Sequence, residues 1–211
     1  MTTLVLLKEF VDLQGSYGFE KRNLVTPERY KNIAEAGLIE LDNFDNPALV
    51  ENLTEHVGHL PIIAAFFHPY LEHSGKIDLG RVLTMLAIHD IGETVVGDVY
   101  SFKKDEAHDA AEKEAALNLL HSTQKDIYLE FEEKGSLEAK YAHSVDKLAP
   151  LLAAITIPQV TIQHALQHGL TIEMVAQGRE SNFTWDKLLS EVFDLCVEHY
   201  LNVREGGEGL L

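Results

Sequence analysis

The stretch Leu86-Ala87-Ile88-His89-Asp90-Ile91-Gly92-Glu93-Thr94-Val95-Val96-Gly97-Asp98 constrains this chain more than any other. An apolar run of the kind that folds inward ends on an adjacent imidazole and carboxylate. A second carboxylate, Glu93, follows one short step later, and a third, Asp98, follows Gly97. Burying an unpaired imidazole and carboxylate together is costly. A divalent metal ion neutralises them, and such an ion takes more than two protein ligands. The fold must therefore bring further side chains of the same chemistry to this stretch. His56, in Glu55-His56, and Asp146, in Ser144-Val145-Asp146-Lys147, are the candidates.

The rest of the chain reads as helix. Leu4, Leu7, Phe10 and Val11 recur at helical spacing. Thr26-Pro27 reads as a cap followed by proline at the first helical position, and that helix stops at Gly37. A long helix starts at Asn46-Pro47, carries His56, and is expected to continue to about His73 with a kink at Pro61. Asp78 caps a helix to about Asp90, with Val82, Leu83, Leu86 and Ala87 as its apolar face. Residues Lys104 to Leu120 form an amphipathic helix with Ala111, Ala115, Leu119 and Leu120 inward. Helices are expected over Lys125 to Glu133 and over Leu137 to about Ile155; Pro158 breaks the pattern, and the remainder, through Thr184-Trp185 to Val203, is expected to be helical again. There is no repeat, low-complexity tract or convincing hairpin. The expected fold is all-α: a single compact helical bundle over 1–211 with a metal-site core at about 51–154.

Composition narrows the partners. The formal net charge of -17 opposes a nucleic-acid surface and anionic membranes. A metal and a few local cations can still make one cleft attractive to a phosphate. One cysteine, Cys196, permits no disulfide within the chain and fits a reducing cytosol. The apolar start is too short for a signal peptide, and no run approaches the length of a membrane span. The expected setting is cytoplasmic.

Two imidazoles and two carboxylates, from His56, His89, Asp90 and Asp146, suit one divalent ion. That ion can be Mn, Co, Mg, Fe, Ni or Zn, and the donor set does not select among them. Four ligands leave positions for water and a phosphoryl oxygen, as metal-assisted hydrolysis requires. Glu93 is spaced to take or give a proton, and Asp98 to hold water or a sugar hydroxyl. Asn52, His59 and His143 are placed to support the ligands.

In this order, His56, His89-Asp90 and Asp146 resemble the pattern of the HD-domain metal-dependent phosphohydrolases. The finer details resemble their 5'-deoxynucleotidase-like branch: Glu51-Asn52-Leu53-Thr54-Glu55-His56, His89-Asp90-Ile91-Gly92-Glu93 with Gly97-Asp98, and Ala142-His143-Ser144-Val145-Asp146-Lys147-Leu148. The resemblance implies one divalent metal on His56, His89, Asp90 and Asp146, with Glu93 catalytic and Asp98 positioning water or substrate. It also implies a homodimer, and a small phosphorylated substrate of the (deoxy)nucleoside 5'-monophosphate class. That branch carries an Arg-Trp pair to grip phosphate, where this chain has Ile39-Glu40-Leu41-Asp42-Asn43. The cation must come from elsewhere, and Arg22, Arg29, Lys103, Lys104 and Lys147 are the candidates, with Lys103 and Lys104 the expected substrate contacts. Two other readings compete. A di-iron oxygenase on the same scaffold would need extra ligands, for which His108 and His121 are available. A non-catalytic small-molecule sensor would have no need of Glu93 and Asp98.

Overall fold

Helix caps and apolar stripes account for most of what the chain builds. The computed structural model describes residues 2–9, 11, 53–97, 104–153, 155, 158, 162, 165–166 and 169–210. Among these residues every regular element is helical, as the periodicity requires. The expected helix after Thr26-Pro27, the start at Asn46-Pro47, and Arg22, Arg29, Asn52, Asp98 and Lys103 lie outside the described residues. No helix among the described residues is long and apolar enough to cross a membrane. The residues fall into two compact units, Gly75–His143 and the remainder, Met1–Ser74 with Ser144–Leu211.

Within Gly75–His143, α2 (Leu79–Ile88) starts where the Asp78 side chain accepts a hydrogen bond from Arg81 N at 3.1 Å. Its buried residues are Val82, Met85, Leu86 and Ile88. Ala87, expected on this face, is exposed, and Leu83 is half-buried. A single-turn helix, α3 (Glu93–Val96), follows a short turn and closes on Gly97 at φ 85°. The sequence suggested that α2 would run to about Asp90; instead the chain turns after Ile88 and restarts at Glu93. α4 (Glu106–Leu119) is capped by Asp105, whose side chain accepts from His108 N at 2.9 Å. α5 (Ser122–Glu133) begins three residues ahead of its expected start. Ile88, Ala116, Leu120 and Tyr128 form the buried core here, with Ile91, Leu117 and Ile127 packed on it. Arg81 Nε donates to Glu130 Oε2 at 2.6 Å and ties α2 to α5.

The inward stripe of α4 departs from the sequence expectation. Ala111 is exposed and Leu119 is 50% exposed, while Ala115, Ala116 and Leu120 are buried. The helix is rotated so that Glu112 turns inward. A hydropathy pattern places a glutamate outside; here a lysine from the preceding loop neutralises it.

The other unit holds a helical segment at 3–9, with Leu6 and Leu7 buried, and α1 (Leu53–Phe67). α1 contains Pro61 and gives way to a 3-10 turn over His68–Tyr70, short of its expected end. α6 (Leu137–Ala153) passes through the boundary between the units and contains Pro150. α7 (Ile172–Arg179) and α8 (Lys187–Arg204) complete the set. Asp186 is 1% exposed, accepts from Leu189 N at 3.2 Å as the cap of α8, and accepts from Glu72 N at 2.9 Å. Phe183 stacks on Phe193 with centroids 4.4 Å apart. Tyr200 donates its hydroxyl to Leu151 O at 2.7 Å, and His199 Nε2 donates to Ile155 O at 3.0 Å. Cys196 is fully buried, and burial pushes its thiol up to about 12.

Candidate metal centre

Each unit contains one His–Asp pair from the expected ligand set. In the first, His56 on α1 places Nε2 3.3 Å from Asp146 Oδ1 on α6. Asp146 Oδ2 accepts from Lys147 Nζ at 2.8 Å, so Lys147 lies on one of the candidate carboxylates. The 179–185 segment anchors α6 on both sides of Asp146. Ser144 Oγ donates to Asn182 O at 2.7 Å and accepts from Trp185 Nε1 at 2.9 Å. Arg179 Nη1 donates to Lys147 O at 3.1 Å. Sequence reading singled out none of Arg179, Asn182 and Trp185, because their contacts to α6 cross a long interval of chain.

In the second unit, the end of α2 delivers His89 and Asp90. His89 is buried, with Nδ1 3.0 Å from Leu86 O and Nε2 3.0 Å from Asp90 Oδ2. A carbonyl only accepts, so Nδ1 carries the proton. In the neutral ring Nε2 then holds a lone pair facing a carboxylate oxygen. Two acceptors at that separation require a positive charge, supplied by a second ring proton or by a metal ion. A backbone-anchored imidazole beside a carboxylate is also the donor chemistry of a first-row metal site. The residues present therefore fit the ion that the sequence calls for.

Phe131, on α5, fixes the ring from the other side. It meets His89 edge-on with centroids 5.3 Å apart and stacks on His143 at 3.8 Å. His143 Nε2 donates to Phe131 O at 2.9 Å, so this imidazole holds α6 to α5. An aromatic core residue gives no sequence signal for such a task.

Glu93 starts α3, its N–H bonded to Asp90 O at 3.0 Å. Its carboxylate Oε1 accepts from Lys104 Nζ at 3.1 Å. The same ammonium donates to Glu112 Oε2 at 2.6 Å. Asp90, Glu93 and Glu112 each offer an oxygen within 4.8 Å of the others. Burial works against the Lys104 charge, yet the hydrogen bonds it donates to Glu112 and Glu93 outweigh it and hold the ammonium above the ordinary lysine range. Lys104, a candidate substrate contact by sequence, is thus engaged by two carboxylates. Of the two extra histidines a second iron would need, His108 lies in the first turn of α4 and His121 is exposed at the head of α5.

A family model described as HD domain matches residues 44–185. A crystal structure of a predicted metal-dependent phosphohydrolase from Magnetospirillum magnetotacticum MS-1 is similar at 27% identity and TM-score 0.60, over 75% of this chain and 82% of that one. No curated protein sequence matches this chain. The matched span takes in both His–Asp pairs, Glu93 and Lys104, and the chain belongs to the HD-domain family.

Proposed function

We propose that this protein is a metal-dependent phosphohydrolase that uses one divalent ion on His56, His89, Asp90 and Asp146. The observation that carries this reading is the presence of two preformed His–Asp pairs, at 3.3 Å and 3.0 Å, in an HD-domain chain. Likeness to a protein described as a predicted metal-dependent phosphohydrolase supports the same activity. The substrate we infer is a small phosphate monoester of the (deoxy)nucleoside 5'-monophosphate class, on the strength of the motif resemblance around Glu93 and Asp98. The same resemblance favours a homodimer, and a single buried thiol suits a cytoplasmic setting.

When bound, a divalent ion polarises a phosphoryl oxygen and makes a nearby water more acidic. The chain's own groups do the rest. Glu93 accepts a proton from the attacking water as the new P–O bond forms. The ester P–O bond breaks, and the leaving oxygen takes up the proton that Glu93 accepted, while Asp98 is the candidate for holding the water or a sugar hydroxyl. Lys147, beside Asp146, is a candidate cation to meet a phosphate.

Phosphate release from a panel of deoxynucleoside and nucleoside 5'-monophosphates, assayed with manganese or cobalt, tests this reading. Turnover of at least one member, lost in Glu93→Ala with metal retained, supports it. A fully metal-loaded protein that releases phosphate from none of them contradicts it.

A further inference from the structure

Lys104, Glu112 and Gly92 form an arrangement that the ligand set alone does not require. Asp105 caps α4, so the residue before it leaves the helix start in a fixed direction. From there Lys104 reaches back to Glu112 on the same helix and across to Glu93 at the head of α3. The Lys104 side chain is 18% exposed, Glu93 11% and Glu112 13%, so water does little to screen the three charges. Gly92 makes the approach possible: a Cβ there would stand 2.2 Å from the Glu112 carbonyl oxygen. Asp90, Glu93 and Glu112 would repel one another at this spacing without a cation among them.

We propose that Lys104 is a positioning residue, whose ammonium, clamped between Glu93 and Glu112, holds the Glu93 carboxylate in place beside Asp90. The inference rests on the phosphohydrolase reading for what Glu93 does, and on geometry alone for what Lys104 does. It gives Lys104 a different task from gripping phosphate. A phosphate-gripping lysine would raise KM when removed, because it binds substrate directly. A lysine that orients a proton-transfer group lowers kcat and leaves substrate binding nearly alone.

The test compares wild type with Lys104→Met and Lys104→Arg in the full-length, manganese-loaded protein. Lys104→Met is expected to lower kcat about tenfold to a hundredfold, the usual cost of removing a supporting partner. KM is expected to stay within about twofold, since on this reading Lys104 does not bind the substrate. Lys104→Arg, which keeps the charge and has N–H donors enough for both carboxylates, is expected to recover most of the loss. A crystal structure of Lys104→Met provides a readout independent of turnover, in which Glu93 and Glu112 are expected to move apart. An unchanged Glu93 carboxylate, a wild-type kcat, or a loss confined to KM would overturn the proposal. If Lys104→Met does not fold, Lys104→Gln, which keeps a donor without the charge, undergoes the same comparison. If wild type itself hydrolyses no phosphate ester, the functional reading fails, and the Glu93 position in the variant crystals still decides the role of Lys104.

Discussion

Gly92 packs so closely on α4 that a methyl group at its Cα would stand 2.2 Å from the Glu112 carbonyl oxygen and 2.9 Å from Glu112 Cγ. Backbone cannot yield as the tip of a side chain can. Gly92→Ala is therefore expected to destabilise the protein by about 1–3 kcal/mol, the range for overpacking. Gly58, in α1, is the control, since a Cβ there meets nothing within 4 Å. Gly58→Ala is expected to stabilise by about 0.5–1 kcal/mol, through helix propensity. Urea unfolding of the two variants measures the contrast.

Asp186 is the buried carboxylate that the structure uses most economically. It caps α8 through Leu189 N and at the same time accepts from Glu72 N. Asp186→Ala removes the cap and leaves a half-buried N–H without its acceptor, at a cost of about 2–4 kcal/mol. Asp186→Asn keeps an acceptor oxygen and is expected to lose less than half as much. Thermal unfolding of both variants checks the ordering.

The Ser144 hydroxyl, two residues before Asp146, is shared between Trp185 and Asn182. Ser144→Ala strips the Trp185 N–H of its acceptor at a cost of about 1–3 kcal/mol. Because the same contacts fix α6 beside the ligand, manganese affinity is expected to fall together with stability. Calorimetric titration with manganese tests this, and an unaltered affinity would mean that α6 holds Asp146 without help from Trp185.

His199 is buried, and burial holds its pKa below the ordinary 6.5 despite the bond to Ile155 O. The unfolded chain then binds a proton that the folded chain refuses. The stabilisation is complete above pH about 6.5 and is lost as the pH falls, by at most about 1.4 kcal/mol per pH unit. His199→Gln keeps a donor for the carbonyl and has no proton to gain. Its urea midpoint is expected to decline less steeply than that of wild type between pH 7.5 and 5.5. Parallel declines would contradict this.

Most of the helices, and the residue types that the structure sets as two His–Asp pairs, were legible in the sequence for a simple reason. Periodicity reports a buried stripe, and an imidazole next to a carboxylate on that stripe must be neutralised. His56–Asp146 and His89–Asp90 each stand paired as those residue types demand. What escaped was set by tertiary charge. Glu112 breaks the hydropathy pattern of α4, and only the reach of Lys104 explains why it can face inward. Phe131 carries no motif, and only its contacts with His89 and His143 show what it orients. The amphipathic spacing puts Ala111 and Leu119 inside, whereas α4 is rotated to present Glu112.

The central claim is that one divalent ion gathers both His–Asp pairs. A crystal grown with manganese, with data collected at the metal absorption edge, tests it most directly. The account predicts one anomalous peak within coordination distance of His56, His89, Asp90 and Asp146, with Lys104 still between Glu93 and Glu112. A peak bound by only one of the two pairs, or a second ion in the place of the Lys104 ammonium, would contradict it.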